Sequence, residues 1–249
     1  MTRRGAVTRG VNAVARGDLY ARLGSARGLR VQTVYLAVCS AFLLLSLPPE
    51  LGRLDVRDAN LLLAFLAVQV VAVTYLCSAT ACAEIALEGE KGLPDLALSA
   101  FPTGTIVSGK VVSSALYAVY LALIATPLFV LAAALRGAPI APIGLSAALV
   151  IPLGTAAGVW GAWLGGRLAS DFTRSLAHWV LLGTAFGATA LLPAGWWPLN
   201  PIRLIDRLVR EGPTPWLAVA ALGWTAVAAA GAWLCARYIG YARAQEADA

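Results

Sequence analysis

The sequence predicts an all-α, polytopic membrane protein with six transmembrane helices. Three observations lead there. Of 249 residues, 59% are hydrophobic and 13% charged, with a mean hydropathy of +0.76, so apolar side chains outnumber the positions that one globular core of this length can bury. The apolar residues run in blocks of about 20, enough to cross roughly 30 Å of hydrocarbon. The charged residues fall between those blocks, as they must when an Arg or Asp at the bilayer centre costs about 3 kcal/mol.

The blocks place spans at 31–49, 60–83, 111–135, 143–166, 176–193 and 215–236, a six-helix transmembrane domain of 31–236. Residues 1–30 form an Arg-rich N-terminal segment, too long and too charged before the first apolar run to read as a cleaved signal. Residues 237–249 form a short tail. Six spans return both termini to one side of the membrane. That side collects Arg3, Arg4, Arg9, Arg16, Arg22, Arg27, Arg30, Lys91, Lys110, Arg167, Arg174, Arg237 and Arg243; the other has Arg53, Arg57, Arg136, Arg203, Arg207 and Arg210. Basic loops stay in the cytoplasm, so both termini are expected there.

Small residues recur at helix-packing spacing: Gly154, Gly158, Gly161 and Gly165 in the fourth span, Gly183 and Gly187 in the fifth. Such faces let backbones approach closely, within one chain or between subunits. Trp196 and Trp197, followed by Pro198 and Pro201, stand where the fifth span leaves hydrocarbon, and Trp216 begins the sixth. Between them Ile202, Leu204, Ile205, Leu208 and Val209 alternate with Arg203, Asp206, Arg207 and Arg210 at helical spacing, which predicts an amphipathic interfacial helix or re-entrant hairpin.

Several function classes drop out. The formal charge is +6, but the basic residues sit at helix ends without an interleaved aromatic patch, so nucleic acid is not the expected partner; membrane lipids are. Cys39, Cys77, Cys82 and Cys235 all lie in apolar runs and read as small buried hydrophobes. His178, the one histidine, lacks nearby Cys, Asp or Glu and reads as a membrane-interface residue, neither a metal ligand nor a triad member. Gly104-Thr-Ile-Val-Ser-Gly109-Lys110 matches the spacing of a phosphate-binding loop, yet Val111 replaces the hydroxyl that would reach magnesium and no strand precedes it. A glycine hinge and a lysine snorkelling to the interface explain it better. The predicted span interiors lack Asp, Glu, Lys and Arg, so no ion relay is expected, although Gln69, Thr74, Ser78, Thr80, Thr126, Ser146, Thr155 and Thr184 offer a polar lining. Met1 is the only methionine, against a thioether-lined metal path. No catalytic, cofactor or metal residues emerge, and the chain is not expected to be an enzyme.

The most informative stretch joins the second and third spans. Glu84, Glu88 and Glu90 place acids on the otherwise basic side, either as a solvated turn or as a docking surface for a cytosolic protein. Pro94 and Asp95 suit the first turn of a short helix, Leu93, Leu96 and Leu98 give it an apolar edge, and Pro102 ends it.

This arrangement resembles the permease subunits of ABC transporters of the type-2 exporter family, in which an acidic Glu-x-x-Gly-like segment, a Leu-rich surface helix and an Ile-x-x-Gly-Lys sequence follow one another. Glu88, Glu90, Gly92, Asp95, Leu96, Leu98, Ile106, Gly109 and Lys110 fit that order. Asn12 to Arg27 resembles the family's N-terminal cytoplasmic segment, and Asn200-Pro201 falls where the family has an outer re-entrant region. The resemblance implies a multi-pass exporter subunit of the bacterial cytoplasmic membrane, paired with a second permease chain, most simply a copy of itself. It implies coupling through Glu84, Glu88, Glu90, Gly92, Leu93, Asp95, Leu96, Leu98, Pro102, Ile106, Gly109 and Lys110 to cytosolic ATPase subunits that hold the ATP and magnesium. The alternative is a polytopic scaffold or assembly component without transport. Apolar linings suit lipids, hydrophobic drugs, peptides and glycans alike, so the substrate does not follow from these residues.

Overall fold

The computed structural model describes residues 3–45, 59–90, 101–135, 141–168, 170–191 and 198–247. Its elements are helical: α1 (Arg3–Gly24), α2 (Ala26–Leu45), α3 (Ala59–Glu90), α4 (Thr103–Leu135), α5 (Ala141–Arg167), α6 (Asp171–Leu182), α7 (Pro201–Glu211) and α8 (Trp216–Ala247). No strand occurs among the described residues. Among the described residues four stretches are long and apolar enough to cross a membrane: Leu63–Ala86 of α3, Thr103–Leu131 of α4, Gly144–Arg167 of α5 and Trp216–Tyr241 of α8. The architecture is that of an all-helical, multi-pass membrane protein.

The helices overrun the predicted spans. α3 continues past Ala83 to Glu90, and α4 begins at Thr103, ahead of Val111. Hydropathy marks where lipid ends, whereas a helix continues as long as its residues tolerate it, and nothing in 84–90 or 103–110 forbids helix. Glu84 and Lys110 therefore stand on continuous helical turns within these apolar stretches.

α5 is the centre of the bundle: 71% of its apolar stretch is buried inside the protein, against 22% for α8. Its glycines make that possible. A side-chain carbon at Gly154 would lie 2.8 Å from Ala118 of α4, one at Gly158 2.6 Å from the Ser114 hydroxyl, and ones at Gly161 and Gly165 would overlap the α3 backbone at Ser78 and Cys82. The glycine stripe thus packs within one chain. Gly183 and Gly187 do not extend the pattern, since a Cβ on either meets nothing within 4 Å.

The predicted fifth span also differs. α6 stops at Leu182 and continues as a π turn (Gly183–Gly187) and a 3-10 turn (Ala188–Leu191). Asn200 organises this break: its side-chain oxygen caps α7 by accepting from the Arg203 amide at 2.9 Å, while its amide nitrogen donates to the Phe186 carbonyl and the Thr189 hydroxyl, both at 3.0 Å. Pro201 then starts α7, where a missing N–H costs nothing. α7 is amphipathic as its spacing predicts, but its apolar face meets protein: Leu204 and Ile205 are fully buried in the same core as Phe65, Leu66, Leu121 and Leu153. Trp216 begins α8, whereas Trp196 and Trp197 lie outside the described residues.

Candidate functional site

One end of the bundle carries a buried charged cluster built from three helices. α1 places Asp18 and Arg22 one turn apart on one face. α3 supplies Glu84 from the last turn of its apolar stretch, and α4 supplies Lys110 and Ser113 from its first turns. The Arg22 guanidinium grips Glu84 with both ends of the fork, Nε to Oε1 at 2.7 Å and Nη2 to Oε2 at 2.8 Å. Lys110 Nζ donates to Asp18 Oδ1 at 3.4 Å, and the Ser113 hydroxyl donates to Asp18 Oδ2 at 3.1 Å. Both pairs are withdrawn from solvent, with side-chain exposures of 2% and 15% for Arg22 and Glu84 and 9% and 10% for Lys110 and Asp18.

Among the described residues Arg22 and Lys110 each face a carboxylate, and such pairing is the condition under which charge can be buried at all. The bidentate geometry of Arg22 gives it direction as well as energy. Burial works against the Arg22 charge, but the Glu84 and Asp18 carboxylates together outweigh it and hold the guanidinium above its ordinary range, while burial also pushes the Glu84 carboxyl up despite Arg22. The guanidinium also lies over the Tyr117 ring of α4, 5.4 Å from its centre. Beside it, the Tyr120 hydroxyl donates to the side-chain oxygen Oε1 of Gln32 at 2.9 Å, tying α4 to α2.

Glycines let α1 come this close. A Cβ on Gly109 of α4 would sit 2.6 Å from Val14 of α1, and one on Gly10 of α1 would sit 2.7 Å from the Thr105 methyl group of α4. Gly28 meets the Arg22 carbonyl closely at the corner between α1 and α2. The contact is therefore backbone-close along α1 and locked by ion pairs at its end.

Of the residues that the sequence singles out, Glu84 and Lys110 belong to this cluster, Gly109 forms its α1 contact and Ile106 is fully buried beside it. Glu84 is thus neither a solvated turn residue nor part of a free acidic surface. Lys110 does not snorkel, and Gly104–Lys110 is helical, so the loop that a phosphate cradle requires is absent there. Pro102 is exposed just before α4, its carbonyl accepting from the amides of Thr105 and Ile106. Glu88 and Glu90 stand on the last turn of α3, where their side chains lie outside the description. Gly92, Leu93, Asp95, Leu96 and Leu98, the expected surface helix, lie outside the described residues.

Sequence reasoning missed Asp18, Arg22, Ser113 and Tyr117 as partners. A signal was present: Asp18 is the one acid among the first 30 residues, beside seven arginines. His178 also departs from expectation. It is buried, its Nδ1 is 2.9 Å from the Ser78 hydroxyl, and its ring meets Tyr75 edge-on, so it joins α6 to α3. Among the described residues no group of three His, Cys, Asp or Glu side chains forms a candidate metal site. The arrangement fastens helices together; it offers tight mechanical linkage between α1 and the two helices that flank 91–100. No protein-family model matches the chain, and no curated protein matches it either.

Proposed function

We propose that the chain is the membrane-spanning permease subunit of an ATP-driven exporter resembling the type-2 ABC family. In this reading α3, α4, α5 and α8 are joined as spans by α2 and by α6 with its continuation, giving six spans with both termini in the cytoplasm of a bacterium. Two copies pair, and two cytosolic ATPase subunits dock on the surface helix at 93–100. ATP binding and hydrolysis belong to those subunits. This chain contributes the pathway and the coupling elements.

The observation that carries the reading is the ion-paired cluster at the root of that segment. α3 leads into 91–100 and α4 leads out of it, and both are fastened to α1 within about three turns of it, through Glu84 and Lys110. A push on the segment enters three helices together, and α5, packed backbone-close on α3 and α4, moves with them or against them.

Charge reversal tests the docking. Glu88→Lys with Glu90→Lys is expected to abolish co-purification of the ATPase subunit while membrane insertion stays intact; unchanged co-purification refutes docking at this segment. Cysteine accessibility tests the orientation separately, with Arg57→Cys and Arg207→Cys labelled from outside and Lys91→Cys and Arg174→Cys from inside. The reverse pattern overturns it.

A further inference from the structure

At the same end of the bundle, the C-terminal turns of α5 and α8 carry cations that the coupling scheme does not use. Arg167 ends α5, with its guanidinium over two rings, Trp163 of its own helix and Tyr238 of α8, 5.6 Å from each. Tyr238 is itself fixed, its hydroxyl donating to the Gly166 carbonyl. Arg237, next to Tyr238 in the chain, lies 4.8 Å from the centre of the Trp233 ring. Both arginines are exposed, and neither has an acidic partner among the described residues. The Trp163 indole N–H beneath this stack is buried and has no acceptor among the described residues.

We propose that these groups form a binding site for the phosphate of an anionic phospholipid, seated where α5 and α8 leave the membrane. The chemistry is that of a phosphodiester. A planar guanidinium flanked by rings keeps its N–H edge for a partner in its own plane, and two phosphate oxygens match that edge. Ring stacking holds the arginine in place, so less side-chain freedom is lost when the ligand binds than with a free surface arginine. The surroundings select a lipid over a free anion. The apolar stretch of α8 is only 22% buried, and Trp233 is 57% exposed, so this face of the helix meets lipid directly. Tryptophans and arginines at the end of such a stretch stand at headgroup depth. The inference needs the chain to cross a membrane; it does not need the ATPase partner.

The test is native mass spectrometry of the full chain in detergent, titrated with phosphatidylglycerol, with phosphatidylethanolamine and with inorganic phosphate. The wild type is expected to hold phosphatidylglycerol over phosphatidylethanolamine, and Arg167→Gln with Arg237→Gln to bind it roughly tenfold more weakly. Arg167→Lys keeps the charge and loses the planar stack, and is expected to weaken binding as well. The proposal is overturned if the double variant holds phosphatidylglycerol like the wild type, or if Arg9→Gln with Arg16→Gln on exposed positions of α1 weakens it equally. Displacement of the lipid by inorganic phosphate alone would likewise sink it, by making the site one for free anions.

Discussion

Removing Arg22 should cost the protein far more than removing Arg22 and Glu84 together. Arg22→Met leaves the Glu84 carboxylate in a site with 15% side-chain exposure, and Glu84→Met leaves a guanidinium whose side chain is 2% exposed. Breaking a buried pair from one side costs about 3–5 kcal/mol, because the remaining charge has lost its partner and cannot recover water. At about 2–4 °C per kcal/mol for a chain of this size, each single variant is expected to melt roughly 6–20 °C lower. The double variant replaces both charges by apolar groups of similar length and should fall well short of the sum, often near the wild type. The assay is tryptophan fluorescence or size-exclusion melting in detergent, on the wild type, two singles and the double. Lys110→Met beside Asp18→Asn gives the matching cycle for the second pair. If the Arg22 and Glu84 singles melt with the wild type, or their effects simply add, the cluster does not fasten α1 and the argument for a stiff root fails.

Three further substitutions separate contact from composition. Gly161→Ala would drive a methyl group into the Ser78 carbonyl of α3 and is expected to cost about 1–3 kcal/mol through overpacking, seen as a lower melting temperature. Gly183→Ala, with nothing within 4 Å, should be neutral or stabilise by up to about 1 kcal/mol; equal losses at both glycines would refute the α5 packing. Asn200→Ala removes the cap of α7 and the donor to the Phe186 carbonyl, costing about 1 kcal/mol for the cap and about 1–3 for the orphaned carbonyl. Its effect should appear as increased hydrogen exchange at the start of α7 before any change in α3.

Much of this fold is legible from hydropathy because lipid imposes so strict a rule. α3, α4, α5 and α8 stand where the apolar blocks place them, and the period of Leu204, Ile205 and Leu208 marks the face that α7 buries. The helix ends were not legible, since the loss of apolar residues after Ala83 says nothing about whether the backbone stays helical. Neither was the break after Leu182: its sequence remains apolar, and the π turn depends on Asn200, fourteen residues away in the chain. The charged cluster was hidden for a related reason. A rule that sends charges to water cannot distinguish a solvated arginine from a neutralised one, and the partners are 62 and 92 residues apart. The lone acid at position 18 was the one local hint.

Under the proposed function, the cluster permits two mechanical schemes that differ in a measurable way. In one, α1 rides with α3 and α4 as a single body; in the other, the ion pairs break and α1 swings free during each cycle. Burial favours the first, because separating two charge pairs without water to receive them repeats the cost of about 3–5 kcal/mol at each. The close contact at Gly10 provides the test, since a Cβ there would lie 2.7 Å from the Thr105 methyl group. Gly10→Cys with Thr105→Cys brings two thiols on α1 and α4 near enough for a disulfide after small adjustment. Oxidation then tethers α1 to α4, and reduction releases it in the same sample. With a single moving body, ATP-driven export in proteoliposomes is expected to be the same in both states. Export that stops on oxidation and returns on reduction would mean that α1 must leave α4, and the ion pairs would then be a latch that opens in each cycle.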